Sequence, residues 1–62
     1  MAYSRWIALV ENELVRLGVH AVEVKPEVDD NEAWFREQYD AGAAAEITAG
    51  EWFTLHYDNA DD

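Results

Sequence analysis

The chain has 62 residues, and 14 Asp and Glu against 4 Lys and Arg leave a formal net charge of −10. It contains no cysteine, which excludes a disulfide framework and a thiolate metal site. Its cations lie dispersed at positions 5, 16, 25 and 36 and cannot neutralise a phosphate track, so direct DNA or RNA binding is excluded, and an anionic membrane leaflet would repel the chain.

Residues 4–17 are predicted to form an amphipathic helix. Trp6, Val10, Leu14 and Leu17 recur at three- and four-residue spacing, and Ile7 and Leu9 widen the apolar stripe. Ser4 is the expected N-cap. Gly18 fits the left-handed position after the helix, with Val19 folding back on Leu14. Glu11 and Glu13 are placed towards solvent.

Residues 19–25 read as a short strand, in which Val22 and Val24 alternate with Glu23 and Lys25. Pro26 is expected to stop it, because proline has no N–H for the ladder. Residues 27–32 then read as an acidic loop, with Asp29 and Glu32 at capping-box spacing. A second helix is expected over 33–41, turning Trp34, Phe35 and Tyr39 to the core and stopping at Gly42. Residues 43–49 read as a short third helix ending at Gly50.

Residues 51–57 alternate most clearly of all. Phe53, Leu55 and Tyr57 fall on one face of a strand, and Trp52, Thr54 and His56 on the other. The polar tail 58–62 is expected to fray. The expectation is one small α+β domain over 1–62, ordered α-β-α-α-β, with helices packed on a two-stranded sheet. Half of the residues are hydrophobic, with three Trp, three Tyr and two Phe, which is too apolar for an acidic disordered chain. The first ten residues resemble no signal peptide, and no run of about 18 apolar residues occurs, so a soluble cytoplasmic protein is expected.

Catalytic signatures are missing. There is no Ser/His/Asp order and no phosphate-cradling glycine loop. So small a fold also leaves little room for a pocket that excludes water, and pockets of about 300 Å³ or more are usual for ligands. A non-enzyme without a cofactor is expected. His20 and His56 lie on the two predicted strands and, with Glu23 or Asp58, offer a conceivable metal site, but at no ligand spacing; ordinary strand histidines are the better reading. Asp29-Asp30-Asn31-Glu32 begins like a calcium loop and then fails, with Trp34 at the sixth position and Asp40 at the twelfth.

The acidity remains as the functional lead. Between Glu23 and Glu46 stand eight carboxylates and two cations. Glu37 and Asp40 are three apart, and Glu37 follows Asp30 by seven. On one helix these would share a face, with about 5–10 Å between successive charges. Phosphates step along each DNA strand at about 3.4 Å of axis. A rigid row of carboxylates therefore imitates part of a duplex edge. The bland reading is a solvated helix face and an N-terminal cap, and adaptation to a salty cytoplasm is a competing explanation of the charge.

In size, acidity, compactness and lack of catalytic groups, the chain resembles the small anti-CRISPR and anti-restriction inhibitors of phages and mobile elements, several of which are DNA mimics. The acidic run Glu27, Asp29, Asp30, Glu32, Glu37 and Asp40 carries the resemblance. It is one of class, without an aligned motif. It implies a partner with a basic surface, such as a CRISPR surveillance complex or another DNA-binding protein, and stoichiometric, cofactor-free inhibition. Glu46 and Glu51 extend the expected partner-binding set. Trp52 and His56, expected to be exposed, would add a hot spot for an Arg-rich partner. The alternative is a regulatory or antitoxin-like module that binds through an apolar face and uses its charge for solubility. Either would act as a monomer or a homodimer, the latter through a sheet edge or the exposed Trp face.

Overall fold

A computed structural model describes residues 1–57, which form four helices: α1 Tyr3–Leu17, α2 Ala21–Asp30, α3 Glu32–Asp40 and α4 Ala45–His56. No strand occurs among the described residues, so the expected α+β fold and its two-stranded sheet are replaced by an all-helical one. The tail 58–62 lies outside the described residues.

Helix α1 follows its pattern. Trp6, Val10 and Leu14 are buried on one stripe. The N-cap is Ala2, however, and Ser4 sits inside the first turn, so no side chain caps the helix. The other end is as expected. Gly18 takes φ 124°, its N–H reaches the Val15 carbonyl at 3.0 Å, and Val19 N–H reaches the Leu14 carbonyl at 3.0 Å. This reversal satisfies carbonyls that the helix leaves open and turns Val19 into the core.

The segment expected as a strand plus a loop is α2. Val24 and Val28, four apart, are buried, whereas Val22 is 83% exposed. Val22 and Val24 would share a face of a strand; on a helix a two-residue step turns them to different sides. Pro26 lies inside this helix instead of ending the element. An internal proline leaves the carbonyl four residues back without its donor, at a cost of about 3 kcal/mol. Val22 and Pro26 are both exposed residues of this helix.

Asn31 separates α2 from α3. Its backbone leaves helical geometry at φ −122° and ψ 29°, and its side-chain amide donates to the Glu27 carbonyl at 2.9 Å. The expected capping box is absent: Asp29 belongs to α2, and Asn31 is the N-cap of α3, with no side-chain cap bond. Phe35 is fully buried, with Trp34 and Tyr39 half-buried beside it, as expected. Gly42 (φ 85°) reverses the chain after α3, with Gly42 N–H bonded to the Tyr39 carbonyl and Ala43 N–H to that of Gln38.

The expected third helix and second strand are one helix, α4, running through Gly50. Its buried residues are Ala45, Thr48, Ala49 and Trp52, a spacing of three, four and seven from the first. Leu55 is 63% exposed, so the Phe53–Leu55–Tyr57 alternation marks no face. Small residues at three of the four buried positions allow α4 to lie close against α1, its main neighbour. One core results, joining Trp6, Val10 and Leu14 to Val19, Val24, Val28 and Phe35 under the α4 stripe. Phe35 and Trp52 rings meet at 4.9 Å and Trp34 and Trp52 rings at 5.2 Å, the aromatic contacts by which a short chain gains buried area.

No helix among the described residues is long and apolar enough to cross a membrane.

Candidate interaction surface

The eight expected partner-facing carboxylates are spread over three helices. Glu27, Asp29 and Asp30 lie on α2, Glu32, Glu37 and Asp40 on α3, and Glu46 and Glu51 on α4. The break at Asn31 falls between Asp30 and Glu37, so their seven-residue spacing is not a row on one helix. Glu37 and Asp40 do share a face of α3. They line a shallow depression of about 560 Å³ with Ala33, Trp34 and Arg36.

Two of the eight have internal roles. Glu27 is half-buried and accepts the Tyr57 hydroxyl, 2.7 and 2.9 Å from its two oxygens. Asp29 stands 3.9 Å from the Lys25 ammonium, a loose and exposed i,i+4 pair. Asp30, Glu32, Glu37, Asp40, Glu46 and Glu51 are exposed and make no ion pair among the described residues.

Tertiary structure does bring some charge together. Arg36 covers the Tyr3 ring with its guanidinium 4.2 Å from the centroid. Burial raises the Tyr3 hydroxyl above its ordinary pKa; Glu32 of α3 raises it further, Arg36 opposes, and Asp29 of α2 and Glu11 of α1 add to the rise. Carboxylates of three helices thus act on one phenol.

A second locus was not foreseen in the sequence. An open groove of about 840 Å³ runs along α1 and the α3–α4 connection. Its apolar lining includes Met1, Trp6, Leu9 and Ala43, and its charged lining is Glu13, Arg16, Asp40 and Glu46. Glu13 and Arg16 form an ion pair, with Nε to Oε1 at 3.1 Å. The hydrogen bond to Arg16 lowers the Glu13 pKa, and the reciprocal bond raises that of Arg16, with Glu46 adding to the rise. No periodicity in the sequence could have marked this groove, because its lining comes from the N-terminus, one face of α1 and a turn after α3.

The aromatic hot spot expected at Trp52 is not at the surface. Trp52 is 3% exposed; His56 is exposed as expected, its ring tilted against Trp52 at 3.8 Å between centroids. His20 is the N-cap of α2 and His56 closes α4, so neither lies on a strand. Homodimerisation through a sheet edge or an exposed Trp52 has no counterpart among the described residues.

No family model, no curated protein and no solved structure matches the chain.

Proposed function

We propose that the protein is an acidic interaction module that occupies the positively charged DNA-binding site of a protein partner, an inhibitor of the anti-CRISPR or anti-restriction kind. One observation carries the reading: six exposed carboxylates, Asp30, Glu32, Glu37, Asp40, Glu46 and Glu51, stand on packed helices with no cation paired to them among the described residues. Such charges need no internal bond to be broken before they meet arginines. Binding would begin with electrostatic steering and finish with Arg–carboxylate hydrogen bonds. Glu27 is reassigned from this surface to the support beneath it, since its oxygens are engaged by Tyr57.

The test is competition. The protein is titrated against fluorescent DNA bound to a panel of CRISPR effector complexes and restriction enzymes, at about 0.05 M and about 0.3 M salt. The expected result is displacement from one of them that weakens steeply with salt. The variant Asp30→Lys with Glu37→Lys should lose it while keeping its helical circular dichroism. No displacement from any member of the panel would leave the acidity as a solubility device and overturn the reading.

A further inference from the structure

The geometry points to the groove between α1 and the α3–α4 connection as the seat for an apolar side chain of a protein partner, presented by a segment that flanks it with Lys or Arg. This deepens the proposed function and rests on it for a basic protein partner. The groove is open and largely apolar, with Met1 71% and Leu9 43% exposed along it. At about 840 Å³ it falls within the roughly 300–1,000 Å³ of sites that hold compact ligands.

Its walls are held by bonds between distant parts of the chain. The Trp6 indole N–H donates to the Ala43 carbonyl at 2.9 Å, and the Tyr39 hydroxyl donates to the Met1 carbonyl. A side chain entering the groove therefore meets a formed surface, and less of its binding energy is lost to ordering.

Charge selects the occupant. Glu13 and Arg16 neutralise each other, which leaves Asp40 and Glu46 as the unpaired charged side chains of the lining. Both rim groups are exposed. A second copy of this chain would bring another −10 to the contact, and nucleic acid or an anionic lipid would be repelled. A basic segment with an apolar anchor satisfies both features: the anchor covers Leu9, and flanking cations reach Asp40 and Glu46.

The experiment uses amidated peptides with one central Leu, Met, Phe or Trp between two Arg-Lys pairs, and a control with glycine at the centre. They are titrated into the ¹⁵N-labelled full chain at about 0.15 M salt, where the Debye length is about 8 Å. At least one apolar peptide should shift the Trp6 indole and the Leu9, Ala43 and Glu46 amides, with affinity roughly tenfold or more above the control. Leu9→Glu should abolish the shifts. Asp40→Asn with Glu46→Gln, which leaves the apolar lining untouched, should weaken binding and flatten its salt dependence. Equal affinity for the glycine control, shifts centred on Asp30 and Glu32, or no shift with any peptide would overturn the inference. Groove binding without DNA displacement in the competition assay would sink the proposed function alone. Displacement that survives Leu9→Glu would sink the groove alone.

Discussion

The Tyr57 hydroxyl lies 2.7 and 2.9 Å from the two carboxylate oxygens of Glu27, thirty residues away in sequence, and ties the end of α4 to the middle of α2. The hydrogen bond to Glu27 is the main reason that the phenol is pushed up to about 12, with burial and then the charges of Glu27 and Glu23 adding to it. Phe53 stacks on the same ring at 5.3 Å between centroids. A residue in the acidic run thus serves to hold two helices together.

Tyr57 therefore links stability to pH in the alkaline range. Its folded pKa of about 12 lies above the ordinary 10.0, so its contribution is complete below pH 10 and is lost as pH rises through 12. Glu27→Ala should bring the highest tyrosine step in an absorbance titration down towards 10, and Tyr57→Phe should remove that step. Tm of Glu27→Ala should lie below that of the parent at neutral pH, and the gap should close above pH 12. A titration curve unchanged by Glu27→Ala would show that this contact is not formed.

Two glycines should respond in opposite directions to alanine. Gly50 lies inside α4, and a Cβ there meets nothing within 4 Å. Gly50→Ala should stabilise the fold by about 0.5–1 kcal/mol through helix propensity. Gly42, at φ 85°, also has room for a Cβ, yet its backbone is left-handed. Gly42→Ala should cost about 1–2 kcal/mol. Urea denaturation measures both, and a destabilising Gly50→Ala would argue against one continuous α4.

Thr48 is fully buried, and its hydroxyl has no hydrogen-bond partner among the described residues. An unpaired buried hydroxyl costs about 1–3 kcal/mol. Thr48→Val keeps the branched shape and removes the polar atom, so Tm should rise. A fall on Thr48→Val would show that the hydroxyl is bonded. Phe35→Ala, which empties a fully buried site, should cost about 3–5 kcal/mol and leave little folded protein.

Salt should stabilise the free protein. The ion pairs among the described residues, Arg16–Glu13 and Lys25–Asp29, are exposed on the cation side, so screening removes little attraction. It removes much of the repulsion within a chain of charge −10. Raising NaCl from about 0.01 to about 1 M shortens the Debye length from about 30 to about 3 Å, and Tm should climb across that range. A Tm that stays flat would mean that the carboxylates do not repel one another measurably.

Features encoded within one or two turns were legible in the sequence. The Trp6–Val10–Leu14 stripe, the Gly18 reversal onto Leu14, the burial of Phe35 and the stop at Gly42 each depend on neighbours three to five residues away. Within α2 and α4 the local signals conflicted. Val22 and Val24 alternate like a strand while Val24 and Val28 repeat like a helix, and Pro26 between them favoured the first reading. In α4 the buried stripe is written mainly in Ala45, Thr48 and Ala49, residues whose small size hides them from a hydrophobic pattern, whereas the larger Phe53, Leu55 and Tyr57 alternate by accident.

The candidate surface divides in the same way. Its acidity, its lack of a phosphate-binding track and the positions of its carboxylates are properties of composition, and the sequence alone determines them. Whether those carboxylates form one row was decided by Asn31, which breaks α2 from α3, and by Tyr57, which engages Glu27. The groove was decided wholly by tertiary structure. Met1, Leu9, Ala43 and Glu46 meet there because α4 packs along α1, and that packing is a balance of burial over the whole core, which no window of neighbouring residues contains.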